Sequence, residues 1–415
     1  MPFLARPTPP TSTAGAGDPH RLLDGPRVPA PDGYTPGEPV PGEVVVYFAD
    51  DPRKLYQLRQ WLPVLERLHE HHRTVVVTRQ QRTFDVVRLQ TSLPCVLAPA
   101  FPDLVGLYEA SDFKVAIYVN NSVHNFQSLT NRRMLHVHVN HGESDKVCMV
   151  SNQVKAYDRV FVAGEAAIAR HAAALLEFDL GALVPVGRPQ LDLHPEPVLP
   201  PTSRRTILYA PTWEGENESN NYTSVDVFGP AIVAAALAVP DVRVVYKPHP
   251  RVVTSPDPAI AASHRRIVEM LAAEPHRVES GDILAVLPGC DLMITDVSSV
   301  GLDFLYLETG KPLFVTDRRG DRDRLYADAP VSRCADIVDA TSLPVLAHRL
   351  GQRLVADLHR PGREALRRHY FGDLLPGEST ERFLAAVDDV IAARDRGLRR
   401  LEHVPVYSGT EVSGA

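Results

Sequence analysis

Residues 291–316 read "DLMITDVSSVGLDFLYLETGKPLFVT", and the fold class follows from this pattern. The apolar runs 291–295 and 312–316 have the length and composition of buried strands, and the run 299–308 has the length of a helix. A strand, a helix and a second strand in this order are typical of two parallel strands joined by a crossover helix. The stretch therefore predicts one unit of a parallel sheet, with a polar turn between its first strand and its helix.

The same alternation extends in both directions along the chain. Strand-like runs occur before residue 187 at 43–49, 74–78, 114–119, 135–139 and 159–163, with a helical pattern at 53–70. A proline-rich interruption at 187–205 separates them from a second series, with strands at 206–210, 242–247, 291–295 and 312–316 and helices at 224–239 and 258–273. We predict an α/β fold with two doubly wound Rossmann-like domains facing across a cleft.

Composition supplies the remaining boundaries. We predict a disordered Pro-rich tail at 1–42, a first domain at 43–190, a linker at 191–204, a second domain at 205–377, a C-terminal helix at 378–400 and a tail at 401–415. The net charge of −7 argues against nucleic acid as a partner. Four cysteines without a C-x-x-C pair argue against a zinc site or a disulfide framework and are consistent with the cytoplasm.

Membrane insertion is not predicted, because the longest apolar run, 231–239, is about half a membrane span. The basic run at 394–404 is typical of a solvated helix face, and peripheral contact with an anionic membrane surface is its alternative.

Polar residues follow four of the predicted strands directly. They are Asn140, His141 and Gly142; Pro211, Thr212 and Trp213; Lys247, Pro248, His249 and Arg251; and Asp296, Ser298 and Ser299. Ligands of doubly wound sheets bind outside the carboxyl ends of the strands. We therefore expect these groups on the rim of the cleft.

These residue types suit a phosphate ligand. The helix that begins near Ser299 offers N–H groups and the positive end of its dipole, and we expect Asp296 or Ser298 to cap it. Lys247 supplies a positive charge, and His249 can donate to a phosphate oxygen or move a proton. His141 and Lys146 offer the same pair of groups from the first domain.

Simpler interpretations remain for each of these motifs. The serines can form an ordinary N-cap, and a loop histidine can bind a backbone carbonyl. A metal site of His136, His138 and His141 is geometrically awkward, and we predict none. The phosphate-binding loop G-x-x-x-x-G-K-[ST], the dinucleotide motif G-x-G-x-x-G after the first strand and the hydrolase motif G-x-S-x-G are absent from the sequence.

Three motifs together resemble one family. The segments "ILYAPTW" (207–213) and "YKPHPR" (246–251), followed by the stretch at 291–317, are similar to the CDP-glycerol glycerophosphotransferases that prime and polymerise teichoic acids. The segments "NHGESDK" (140–146) and "VGRPQLD" (186–192) are similar to two further segments of that family.

The resemblance implies a GT-B fold with an acceptor-side first domain and a donor-side second domain. It implies transfer of glycerol phosphate from CDP-glycerol to a hydroxyl of a glycolipid or polymer acceptor, with release of CMP, at the inner face of the membrane. The product would be a teichoic-acid-like or other cell-surface polymer. No cofactor is predicted, and a metal requirement is left open.

The predicted site combines the strand-end residues with the positions that match the family. His141 and His249 are predicted to be catalytic, with His141 as the base. The predicted substrate-binding residues are Gly142, Lys146, Arg188, Pro211, Thr212, Lys247, Pro248, Arg251, Asp296, Ser298, Ser299 and Asp303.

Two departures from the family pattern lie in the acceptor-side domain. Where the family has His-Gly-Thr-Pro-Leu-Lys, this chain has "HGESDK", which introduces Glu143 and Asp145. Gln190 stands where an arginine is expected, with Arg188 two places earlier. Two rival functions stay open: a GT-B transferase that uses CDP-ribitol or a nucleotide sugar, and a catalytically silent nucleotide-binding homologue.

Overall fold

The computed structural model describes residues 37–146, 149–193, 195–375 and 377–402. The predicted N-terminal tail therefore lies outside the described residues as far as residue 36, and the predicted C-terminal tail lies outside them from residue 403. Residues 37–42 lead into the first strand, and the backbone N–H of Val40 donates to the Ser111 hydroxyl over 2.9 Å.

The first half of the chain forms a seven-stranded sheet. Its strands are β1 (Val44–Phe48), β2 (Thr74–Thr78), β3 (Cys95–Leu97), β4 (Val115–Tyr118), β5 (Leu135–His138), β6 (Arg159–Val162) and β7 (Leu183–Pro185). They are parallel and lie in the order β3-β2-β1-β4-β5-β6-β7. Val44 and Val46 of β1 belong to one apolar cluster, and Val45 belongs to another. Because successive strand residues point to opposite faces, the sheet is covered on both sides.

The second half forms a six-stranded sheet. Its strands are β8 (Arg205–Ala210), β9 (Val242–Tyr246), β10 (Arg277–Val278), β11 (Leu292–Thr295), β12 (Leu313–Thr316) and β13 (Asp336–Val338). They are parallel and lie in the order β10-β9-β8-β11-β12-β13. The strand order reverses between β8 and β11, which is where doubly wound sheets bind their ligands. The predicted α/β class with two doubly wound sheets is confirmed.

Helices connect the strands and cover the sheets. They are α1 (Tyr56–Arg59), α2 (Leu62–His71), α3 (Gln81–Val87), α4 (Phe101–Ala110), α5 (Asn125–Ser128), α6 (Glu165–Ala174), α7 (Pro189–Asp192), α8 (Gly229–Leu237), α9 (Pro250–Val253), α10 (Pro258–Met270), α11 (Ile283–Val286), α12 (Ser299–Leu307), α13 (Arg322–Asp328), α14 (Leu346–Val355), α15 (Arg360–Phe371) and α16 (Glu378–Glu402). Among the described residues, no helix combines the length and the apolar character needed to span a bilayer.

One predicted helix is divided in the structure. The pattern at 53–70 predicts a continuous helix, but α1 ends at Arg59 and α2 begins at Leu62. Pro63 lies in the first turn of α2, where its missing N–H group is tolerated, whereas it would break a continuous helix. The break frees Trp61 from the helical pattern, and its indole N–H donates to the backbone carbonyl of Asn140 over 2.5 Å.

The last helix returns to the first sheet. Phe383, Val387 and Val390 of α16 are buried in the apolar cluster that also contains Val44 and Val46 of β1. The two halves are therefore joined twice, once by the connection before β8 and once by the packing of α16.

Candidate active site

His141 is held in place by the turn that follows β5. Asn140 has a φ of 54°, in the left-handed region that asparagine tolerates better than most residues. Its side-chain Oδ1 accepts the N–H of His141 over 2.8 Å, while Trp61 holds its carbonyl. These contacts turn the chain sharply at the strand end and fix the start of the loop that carries His141.

His141 is neutral near pH 7. Burial lowers the pKa of His141 to about 4, and the positive charges of Arg188 and Lys146 act in the same direction. Its Nδ1 atom is buried and has no hydrogen-bond partner among the described residues. A neutral imidazole can accept a proton, which is what a general base requires.

His249 reaches the cleft from the second half. It follows Lys247 and Pro248, both buried at the end of β9, and it is the N-cap residue of α9. The backbone N–H of Arg251 donates to its Nδ1 over 3.2 Å, so the neutral ring carries its proton on Nε2. Burial lowers the pKa of His249 to about 3, and nearby Lys146 and Lys247 add to the effect. Burial also lowers the pKa of Lys247.

The two histidines meet at the ring of Tyr56. The Tyr56 ring centroid lies 5.9 Å from that of His141 and 5.6 Å from that of His249, with interplanar angles of 88° and 85°. Trp213 also stacks on His249, with ring centroids 6.1 Å apart, and the Arg251 guanidinium carbon lies 3.6 Å from the centre of the Trp213 ring. An aromatic row therefore crosses the cleft from one half to the other.

Sequence reasoning missed Tyr56. It begins α1 in the connection after β1 and does not follow a strand end directly. The available signal was the connection itself, because it leaves the same edge of the sheet as the His141 turn.

Two further contacts close the cleft near His141. The Lys146 ammonium donates to the Thr212 hydroxyl over 2.8 Å, and Thr212 follows β8 beside the buried Pro211. Gly142 lies against Ser299, since a Cβ atom at Gly142 would lie 3.2 Å from the Ser299 Cβ. The glycine thus permits close approach between the first half and the start of α12.

The expected capping of α12 is wrong. Ser298 is its N-cap residue but makes no capping side-chain hydrogen bond, and its hydroxyl lies 3.1 Å from the Thr295 hydroxyl. The Asp296 carboxylate is buried, where it accepts the backbone N–H of Thr212 over 2.8 Å and the Thr316 hydroxyl over 2.6 Å. Burial raises the pKa of Asp296, and these hydrogen bonds oppose the rise. Asp296 therefore organises three strand ends, and the N-cap residue Ser298 leaves the α12 N-terminus without a capping side-chain hydrogen bond from the described residues.

Arg188 and Asp303 pair with each other across the two halves. The Arg188 guanidinium donates to the Asp303 carboxylate over 2.8 Å, and both side chains are buried. Burial raises the pKa of Asp303 to about 6, whereas Arg188 lowers it. Arg188 also lies beside Gly142. The pair adjoins the site, and its contact with substrate stays a prediction.

The two acidic departures from the family pattern are buried and share one arginine. Arg170 of α6 pairs with Glu143 and, over 2.8 Å, with Asp145. The Tyr370 hydroxyl of α15 donates to Asp145 and accepts the backbone N–H of Val331 over 3.1 Å. The cluster anchors the loop between His141 and Lys146 to both halves. Arg170 and Tyr370 carried no sequence signal, because their partners are distant in the chain.

The three-histidine alternative is not formed. Both ring nitrogens of His136 make hydrogen bonds, to the Tyr118 hydroxyl and the Asn131 carbonyl, and His138 stacks on Tyr157 at 5.0 Å. In the described part of the chain, no group of three or more His, Cys, Asp or Glu residues is arranged to hold a metal ion.

The structure thus brings together residues from both halves. His141, Gly142 and Lys146 meet Thr212, His249 and Ser299, with Lys247, Pro248, Arg251 and Ser298 adjoining them along the same strand ends. Their catalytic and binding roles stay predictions.

Residues 196–323 match the family model for CDP-glycerol:poly(glycerophosphate) glycerophosphotransferase. The predicted family resemblance is confirmed over this range. The match contains the ends of β8 to β12 and extends neither to β13 nor to His141. No curated protein is similar enough to this chain to count as a match.

Solved structures resemble both halves together. A structure of the wall teichoic acid polymerase TagF soaked with CDPG is 12% identical, covers 87% of this chain and 90% of its own, and has a TM-score of 0.56. A putative UDP-N-acetylglucosamine 2-epimerase from Listeria monocytogenes is 14% identical over 85% of this chain and 97% of its own, with a TM-score of 0.57. A glycosyltransferase from Rickettsia africae is 10% identical, covers 84% of this chain and 98% of its own, and has a TM-score of 0.52. At these identities the likeness shows the fold, which is of the GT-B type.

Proposed function

We propose that this chain transfers glycerol phosphate from CDP-glycerol to a hydroxyl acceptor and releases CMP. The observation that carries the proposal is the meeting of two neutral histidines, one from each half, at Tyr56. The family match over residues 196–323 supports the donor. The acceptor proposed from the family resemblance is a glycolipid or growing polymer at the inner face of the membrane.

The proposed reaction is an in-line displacement at phosphorus. Neutral His141 removes the proton of the acceptor hydroxyl, and the acceptor oxygen bonds to the glycerol-bearing phosphorus. The bond from that phosphorus to the bridging oxygen breaks, and CMP leaves with the electron pair. Lys247, the Nε2–H of His249 and the N–H groups at the start of α12 stabilise the charge on the diphosphate.

Release of CMP from CDP-glycerol tests the proposal. We expect His249→Ala and His141→Ala each to lower turnover by about 100-fold or more, because each removes a group that acts on the reacting phosphate or proton. The matched control is His348→Ala, which changes an exposed histidine on α14. Absence of CMP release from the unaltered protein with glycerol phosphate polymers, or equal rates in the three variants, would overturn the proposal.

The donor is tested separately by thermal shift. Stabilisation by CDP-glycerol should exceed that by CDP-ribitol, CMP-sialic acid and UDP-sugars at equal concentration, since tighter binding gives the larger shift. A larger shift with another donor would redirect the assignment to that donor. Binding without CMP release with any acceptor would indicate the silent homologue.

A further inference from the structure

A small pocket lies beside the start of α12 and outside the residues that the proposed reaction uses. Val297, Leu325 and Ala329 form its apolar wall, and Tyr222 and Asp317 contribute polar groups. Asp317 follows β12 directly, so the pocket is at the carboxyl end of the second sheet. Its cavity volume is about 30 Å³.

Two buried polar atoms at this pocket lack partners. The Tyr222 hydroxyl and the Asp317 Oδ2 atom have no hydrogen-bond partner within the described residues, although the two residues are only 9% and 4% exposed. The other Asp317 oxygen accepts the backbone N–H groups of Arg319 and Gly320 over 3.2 and 3.0 Å. These bonds fix the carboxylate, and buried polar groups in native proteins nearly always have partners. The two atoms together suit a ligand that carries hydroxyl groups.

The charges around the pocket favour a neutral ligand. Asp317 forms no ion pair among the residues that the structure describes, so its negative charge disfavours a second phosphate or a carboxylate there. The three arginines that line the pocket already have partners. Arg318 pairs with Asp226, Arg324 pairs with Asp328, and Arg319 donates to the Ser219 carbonyl while its guanidinium carbon lies 4.4 Å from the centre of the Tyr222 ring. A hydroxyl can donate to the carboxylate and exchange a hydrogen bond with the phenol.

The pocket is within reach of a diphosphate held at α12. Val297 immediately precedes the N-cap residue Ser298. On the other side, the Lys146 ammonium lies 5.7 Å from the centre of the Tyr222 ring and 2.8 Å from the Thr212 hydroxyl. The pocket therefore adjoins both the start of α12 and the Lys146–Thr212 contact.

Size decides which end of the donor fits. A cavity needs about 10–15 Å³ for each water-sized group, so this pocket holds two or three such groups. The two free hydroxyls and the terminal carbon of a glycerol unit match that capacity when its middle carbon lies at the mouth, whereas a nucleoside or the longer chain of a five-carbon polyol exceeds it.

We propose that this pocket binds the free hydroxyls of the glycerol unit of the donor and that Asp317 and Tyr222 determine its polyol specificity. The inference rests on the proposed function, which it deepens by assigning the recognition of the transferred group. Sites that hydrogen-bond a substrate hydroxyl discriminate strongly against analogues that lack it.

The test uses Asp317→Asn and Tyr222→Phe, which keep side-chain size. Asparagine retains the oxygen that accepts the backbone N–H groups of Arg319 and Gly320, so the turn after β12 should stay intact. The melting temperature of each variant without ligand checks that its fold is unchanged. We expect each variant to lower kcat/KM for CDP-glycerol about 10-fold or more, since each loses one buried hydrogen bond to the ligand. Thermal stabilisation by CDP alone should be unchanged. The matched control is Asp323→Asn, which changes an exposed acid on α13.

Thermal shifts separate this inference from the reaction. CDP-glycerol should stabilise the unaltered protein more than CDP does, and both variants should lose that difference, whether or not CMP is released. An equal shift with the two ligands in the unaltered protein would overturn the inference. So would variants that keep the difference, or variants that lose stabilisation by CDP itself, which would place the nucleoside in the pocket.

Discussion

At the scale of single residues, burial sets the chemistry of the two histidines. Each is close to positive side chains, and each lies in a cleft that the Tyr56 ring helps to fill. Both effects disfavour the imidazolium form. A base that is neutral well below pH 7 is ready to accept a proton at physiological pH.

This environment predicts an unusual pH profile. In the free protein the His141 pKa is lowered to about 4 from the usual 6.5, so its basic form persists until the pH falls to about 4. Because kcat/KM reports groups of the free enzyme, its acid limb should lie near pH 4 and not near pH 6.5. Rates of CMP release between pH 3.5 and 8 measure the limb, and NMR titration of the histidine rings measures the pKa directly.

The Tyr56→Ala variant tests whether the Tyr56 ring contributes to the lowered pKa of His141. Removing the ring admits water to both imidazoles, so the His141 pKa and the acid limb should move up toward 6.5. Phe126→Ala removes an exposed ring that is 45% accessible and should leave the limb in place. An acid limb already near 6.5 in the unaltered protein would contradict the expected desolvation of His141.

Sequence could predict His141, Lys247 and His249 because each follows a strand end, where the fold itself concentrates ligand groups. It could not predict that the Asp296 carboxylate would turn inward to Thr212 and Thr316, since that depends on the approach of three strands. The sequence pattern indicates which residues lie at the carboxyl ends of the strands. It does not indicate which of their side chains face the cleft.

At the scale of elements, the loop from His141 to Lys146 is held by long-range contacts. Arg170 of α6 pairs with Glu143 and Asp145 of this loop, and the Tyr370 hydroxyl of α15 donates to Asp145. The sequence showed that Glu143 and Asp145 depart from the family pattern, but their partners come from elements that only tertiary packing brings near.

Removing the shared arginine should destabilise the protein. Arg170→Ala leaves two carboxylates buried without their cation, which typically costs about 3–5 kcal/mol in the free energy of unfolding. Burial raises the pKa of Asp145 to about 7, so protonation removes part of the uncompensated charge below that pH. We therefore expect a smaller loss at pH 5.5 than at pH 8. Urea unfolding of the unaltered protein and of Arg170→Ala at both pH values measures the loss in the free energy of unfolding.

An exposed ion pair supplies the control. Arg67 and Glu70 are 54% and 56% exposed, so Arg67→Ala should change the free energy of unfolding by about 0.5 kcal/mol or less. Equal losses for Arg170→Ala and Arg67→Ala would show that the acid cluster does not anchor the loop.

At the scale of the whole molecule, the chain crosses between its halves more than once. The strand pattern predicted nine strands of the two sheets, because these runs of buried residues have strand length and recur between helical segments. It did not predict the edge strands β3, β7, β10 and β13, which are only two or three residues long. The amphipathic pattern also predicted the last helix, but not that α16 would pack on the first sheet. An apolar face indicates that a helix packs against the protein, but it does not indicate which sheet or helix it packs against.

The packing of α16 predicts that a mutation of its buried face destabilises the first half of the chain. Phe383 is fully buried and contacts Trp61 and Phe161, with ring centroids 5.4 and 5.9 Å apart. Phe383→Ala should therefore lower the free energy of unfolding of the first half by about 3–5 kcal/mol, the usual cost of removing a buried phenylalanine ring. Leu401→Ala changes a residue of the same helix that is 62% exposed and should have little effect.

The two tryptophans of the chain, Trp61 and Trp213, lie in different halves and allow each half to be followed by fluorescence. With Trp213→Phe as background, Trp61 alone reports the first half during urea unfolding. Phe383→Ala should shift the Trp61 midpoint to lower urea, because α16 stabilises the sheet that positions the His141 turn through the Trp61–Asn140 contact. A midpoint equal to that of Leu401→Ala would mean that α16 contributes no stability to the first half, despite its buried face.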